Sequence, residues 1–231
     1  MSGRARRARL ARPRTAPLAL AALVLGGCSS GLHSNAPPEQ AYVLRAPAPA
    51  APPATPAAPA ARGSLQVLRP LAAPGLESDR IAVLQADHRL SYYRASRWAV
   101  ALPDMLESLA LQHLRGRGVA APLEGSRTTF PADYVLQLTI RRFEADETER
   151  SGAPVVEVVI EGLLLRRADR VVLATLEAAS SAPAAENRLS AVVGAFEQAA
   201  GAALDTLAER IATAIRTSTG PAPPSGGSAS N

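Results

Sequence analysis

The chain has 231 residues, of which 47% are apolar and only 3% aromatic, with a formal charge of +5. That length holds one ordinary domain plus appendages, and because alanine inflates the apolar fraction, any core must come from Leu, Val and Ile. The charge is unevenly placed: all 25 basic residues are arginines, Arg4, Arg6, Arg7, Arg9, Arg12 and Arg14 lie at the start, and all 20 acids lie beyond residue 38. The remainder is close to neutral, which argues against nucleic acid as a partner, since that needs a basic face on the domain itself.

The first 27 residues read as a signal peptide. An arginine-rich stretch to Arg14 precedes the apolar run 18–25 and the small residues Gly26 and Gly27, and positive charge stays cytoplasmic while a short apolar segment enters the membrane. The run is well short of the roughly 20 residues that span a bilayer as a helix. Leu25-Gly26-Gly27-Cys28 resembles a bacterial lipobox, and Cys28 is the only cysteine. The resemblance implies cleavage between Gly27 and Cys28, diacylation of the sulfur (palmitate being the labelling probe) and acylation of the new amine. Three acyl chains exceed the two signals needed for stable anchoring. One cysteine also leaves no internal disulfide. Ser29, in place of Asp, implies by the same resemblance sorting to the outer membrane.

Residues 28–41 read as a tether, and 41–44 as a short strand. Residues 46–61 are an Ala/Pro-rich low-complexity spacer, because proline removes donors and fixes φ. A globular core is expected over 65–217, followed by a disordered tail, 218–231. Within the core, 65–71 alternates as a strand closed by Pro70 or Pro74. Residues 80–84 and 90–93 form a hairpin around the turn at Asp87-His88. Leu102, Met105, Leu106, Leu109 and Leu114 recur at helical spacing, and that helix ends at Gly116 or Gly118. Tyr134, Leu136, Leu138 and Ile140 alternate with Val135, Gln137, Thr139 and Arg141, one face being buried, and the phase breaks at Arg141-Arg142-Phe143, where a bulge or a sheet exit is expected.

Strands over 155–165 and 171–177, joined by Arg166-Arg167-Ala168-Asp169-Arg170, complete a meander. A helix over 187–216 then keeps one stripe from Leu189 through Phe196, Leu204 and Ile211 to Ile215; its length of about 45 Å could cross a sheet. The expected fold is α+β, an antiparallel sheet with two helices packed on it, the C-terminal one long.

No catalytic constellation emerges, so the chain is expected not to be an enzyme. His33, His88 and His113 lack metal-ligand spacing, and no phosphate loop, dinucleotide fingerprint or nucleophile elbow occurs. Glu144, Asp146, Glu147 and Glu149 lack the offsets of a calcium loop and read as a solvated hairpin tip. Asp79, His88 and Ser91 make only an incidental triple. No cofactor or metal is expected beyond the acyl chains on Cys28. The partner-binding candidates are Tyr92, Tyr93, Arg94, Arg97 and Trp98, since aromatics beside arginine favour binding surfaces. Trp98 is weighed against a place in the core, and one of the two tyrosines, on opposite strand faces, is expected to be exposed.

In order along the chain, the lipobox, Tyr42-Val43-Leu44, Asp79-Arg80-Ile81-Ala82-Val83, Arg97-Trp98-Ala99, Ala132-Asp133-Tyr134-Val135-Leu136 and the terminal helix resemble the ABC-type transport auxiliary lipoprotein component family. These are outer-membrane lipoproteins that accompany MCE-type (mammalian-cell-entry) lipid transporters. The resemblance covers about 42–215 and implies a domain at 42–217. It also implies a non-enzymatic, lipid-anchored role on the periplasmic face of the outer membrane, docking the MCE-domain protein of an inner-membrane ABC transporter for phospholipid or other hydrophobic molecules. A periplasmic lipid carrier and an envelope assembly factor are the alternatives, and homo-oligomerisation is left open. Alanines in the terminal helix stripe (Ala200, Ala203, Ala208, Ala212) suggest close helix–sheet packing and favour docking.

Overall fold

The computed structural model describes residues 38–46, 63–119, 121–124, 131–148 and 152–218. All lie in one compact unit that begins at Pro38. The predicted signal peptide, the spacer apart from Ala46, and the tail apart from Ser218, which ends the C-terminal helix, fall outside these residues, as do Cys28 and most of the tether. Nine strands form one sheet: β1 (Gln40–Tyr42), β2 (Ser64–Val67), β3 (Leu71–Ala72), β4 (Arg80–Gln85), β5 (Leu90–Trp98), β6 (Ala121–Glu124), β7 (Tyr134–Glu147), β8 (Val155–Arg166) and β9 (Val171–Pro183). The helices are α1 (Leu102–Gly116) and α2 (Leu189–Ser218).

The sheet is mixed, which corrects the antiparallel expectation. Strands β7, β8 and β9 do form the antiparallel meander, and β4 and β5 an antiparallel hairpin. The other side of β7 takes three parallel partners in succession: β2 at Tyr134–Leu136, β3 at Thr139–Ile140 and β4 at Ala145–Glu147. Strand β1 runs parallel to β5 and β6 parallel to β2. Alternation marks which face a strand buries but not the direction of its neighbour. The phase break at Arg141 is a bulge: Ile140 opposes Ile160, whereas Arg142 opposes Val159. The strand continues, and after the extra residue Phe143 and Ala145 face the core. That corrects the hairpin-tip reading of the acids there. Glu144 is buried inside the strand and accepts the Phe143 N–H at 2.9 Å and Arg142 Nε at 3.0 Å; Glu149 lies outside the described residues.

Helix α1 opens with Leu102 and Pro103; a missing N–H in the first turn costs no intrahelical bond. It carries Leu102, Met105, Leu106, Leu109 and Leu114 into the core. Helix α2 packs on β8, β9 and α1. Its contact stripe mixes bulky residues with Ala199, Ala200, Ala203 and Ala208, each no more than 1% exposed. Small side chains let the helix lie close to the sheet, and the residual void between the two helices and β7 is about 10 Å³, beside Leu114, Leu138 and Leu204. Trp98 of β5 meets Phe196 of α2 edge-on at 5.3 Å and Phe143 of β7 at 6.2 Å, while Phe143 and Phe196 stack at 5.0 Å. Phe196→Ala is expected to lower unfolding free energy by about 3–5 kcal/mol, read as a reduced urea midpoint at unchanged m value; a loss below 1 kcal/mol would mean the cluster is dispensable.

Candidate docking site

The sequence-predicted patch lies on β5, and the structure divides it. Arg80 opposes Arg97 and Ala82 opposes Tyr92, so residues 93–96 bulge against Ile81 alone. Ala95 sits there at φ +50°, a left-handed conformation that costs a non-glycine residue about 1–2 kcal/mol. The bulge leaves Arg94 and Ala95 exposed, and bulges commonly re-aim side chains in this way.

Both tyrosines are half-buried and tied to their own domain, so neither is the freely exposed ring that strand alternation predicts. Tyr92 donates its hydroxyl to the Gly75 carbonyl at 3.0 Å, and the Arg80 guanidinium lies 3.8 Å from its ring centroid. Gly75 is at φ +91°, a conformation that strains any residue with a side chain, and a Cβ there would also press on Leu90 Cδ2 at 2.7 Å, so the turn favours glycine. Tyr93 donates to Glu147 Oε1 at 2.9 Å. Burial first, and then the Glu147 carboxylate, raise its pKa far above the usual tyrosine range.

Arg97 reaches Glu39 at 3.1 Å and Asp79 at 3.4 Å, clamping the entry to β1 against the hairpin. Trp98, 1% exposed, is a core residue and cannot touch a partner. The patch therefore contracts to Arg94 and the outer rims of the tyrosines.

The incidental catalytic triple is not drawn into a working relay. Asp79 is engaged by Arg97, and His88 occupies the hairpin turn at φ +57°. No group of three His, Cys, Asp or Glu residues suited to a metal occurs among the described residues. Sequence reasoning missed a polar contact between the helices. His113 is buried, and its Nδ1 lies 2.8 Å from Asp205 Oδ1, 92 residues away. An ionised carboxylate only accepts, so Nδ1 carries the proton. Arg117 bonds Asp205 Oδ2 at 2.7 Å and Glu209 at 2.8 Å. The only signal in the sequence was a histidine at the edge of an apolar helix stripe.

The profile of the ABC-type transport auxiliary lipoprotein component family matches residues 42–212. The chain belongs to that family. Comparison with curated proteins gives no match. A crystal structure of a Xanthomonas campestris protein is similar at TM-score 0.65 and 26% identity, over 80% of this chain and 99% of that one. An uncharacterized protein (TM-score 0.54, 14% identity, 79% and 100% covered) and a hypothetical protein of Chlamydia trachomatis (0.50, 8%, 68% and 99%) share the fold. As a member, the chain is an auxiliary lipoprotein of ABC-type transport, and so a membrane-anchored envelope protein. No helix among its described residues is long and apolar enough to cross a membrane.

Burial raises the pKa of Asp205, but the hydrogen bonds from His113 and Arg117 outweigh it and hold the carboxyl below its ordinary value. An Asp depressed in the folded state stabilises fully above the unfolded value of about 3.9, and that contribution is lost as pH falls through the folded value. Asp205→Asn is therefore expected to melt below the parent at pH 7, with the gap closing as pH drops through and below about 4. A gap independent of pH would assign the loss to packing.

Proposed function

We propose that this lipoprotein is a non-enzymatic docking component of an MCE-type ABC transporter for phospholipid or other hydrophobic molecules. Acyl chains on Cys28 hold it at the outer membrane, facing the periplasm, where it fastens the MCE-domain protein that bridges from the inner-membrane permease. Membership of the transport-auxiliary family supports the setting.

The observation that carries docking over lipid carriage is the filled space between sheet and helices. The void there is about 10 Å³, whereas even a small-molecule pocket needs roughly 300 Å³ or more. The polar groups with catalytic potential support the same reading. Asp79 holds Arg97, and His113 holds Asp205. What remains accessible on the β5 bulge is Arg94 at a strained turn beside two anchored aromatic rings, an arrangement suited to contact.

Three experiments test the role. Cys28→Ala should abolish palmitate labelling and leave the chain unprocessed or soluble, and unchanged labelling would refute the anchor. A photo-crosslinker at position 94 should capture the MCE-domain protein in cells. Lipid mass spectrometry of the purified domain should find no stoichiometric phospholipid. Capture of lipid alone, or phospholipid retained at one per chain, would turn the reading to a carrier.

A further inference from the structure

We infer that the β8–β9 hairpin tip is a second membrane contact, one that docks on an anionic phospholipid surface. The tip is a run of exposed residues, Arg167 through Val172. Val171 and Val172 are 44% and 50% exposed although neighbours in a strand point to opposite faces. The hairpin therefore extends beyond the cover of the core, with apolar surface on both sides. Leu163, 37% exposed, continues that surface inward along β8.

The tip's charge is cationic. Arg166 is neutralised by Asp169, which it holds through Nε at 3.1 Å and Nη2 at 2.7 Å. Arg167 bonds the neutral amide of Gln66, and Arg170, at φ +58°, makes no ion pair among the described residues. One negative charge remains beside the tip: the Asp133 carboxylate accepts from the Ser64 N–H at 2.7 Å and hydroxyl at 2.9 Å, stays ionised, and leaves a net charge of one positive unit against Arg167 and Arg170. Two guanidinium charges thus flank two exposed valines. Beside them an open cleft of about 490 Å³, lined by Pro131, Ala132, Asp133, Tyr134, Arg166 and Arg167, leaves room for a headgroup on its arginine side.

An acidic protein groove would bury one side of a strand end. A fluid interface accepts valines on both sides while the arginine heads stay with the phosphates. Each basic residue near an anionic membrane surface contributes about 1 kcal/mol, within a Debye length. That is too weak to anchor alone, but it can orient a domain already held by acyl chains. The contact is additional to Cys28, and its test uses neither acyl chain nor transporter, so it fails or succeeds separately from the docking role.

The unit 38–231, which has its own core and excludes the arginine-rich leader, is floated with vesicles of phosphatidylcholine alone or mixed with phosphatidylglycerol. Binding should require phosphatidylglycerol and fall as salt rises. Arg167→Gln with Arg170→Asn, which removes both charges and suits the left-handed turn, should weaken it about thirtyfold at an unchanged melting temperature. Val171→Thr with Val172→Thr should weaken it several-fold with the salt dependence retained. Equal binding of parent and arginine variant, equal binding to both vesicle types, or no binding at low salt would overturn the proposal. So would loss of capture of a purified acidic partner without any change in flotation, which would make the tip a protein contact.

Discussion

Three aromatic rings hold together parts of this protein that local folding alone would leave separate. Trp98 ends the β4–β5 hairpin, Phe143 sits just past the bulge of β7, and Phe196 lies in the second turn of α2. In a chain with one tryptophan and three phenylalanines, committing three of these rings to one cluster leaves few to strengthen any other site. The edge-to-face and stacked geometries also fix orientation, not merely contact. The bulge at Arg141 belongs to the same constraint: paired regularly, without the bulge, this sequence would turn Phe143 to the outer face of the sheet.

From that anchor point α2 runs along β8 and β9 with alanines against the strands. Helix and sheet approach closely, and among the described residues the void beside Leu114, Leu138 and Leu204 is only about 10 Å³. The interhelical contact of His113, Asp205 and Arg117 adds direction to this packing, because hydrogen bonds admit one register where apolar stripes admit several.

Much of the architecture was legible because it is written locally. The leucine stripe of α1, the alternation of β7, the meander and the long α2 all announce themselves within a dozen residues. Parallel pairing did not, since β2, β3 and β4 meet β7 from 60 or more positions away and carry no mark of direction. Strand β6 was missed because Pro122 argues against a strand, and among the described residues it pairs with β2 alone, at the margin of the sheet. In the candidate site, an aromatic-arginine cluster was visible, but burial was not: Trp98 went to the core, and both tyrosine hydroxyls found partners far along the chain. The β8–β9 turn read as ordinary polar punctuation, because the protrusion that exposes its valines depends on where the helices stop covering the sheet.

The parallel queue along β7 has a bearing on how such a protein changes over generations. Strands β1 and β2 are consecutive in the chain but never neighbours in the sheet: one lies beside β5, the other beside β7. No pairing of β1 with β2 holds the connection between them to a hairpin's length. The alanine- and proline-laden stretch found at that junction is the kind of expansion such a position admits. It marks a seam where new sequence can accumulate while the pairing on either side stays intact.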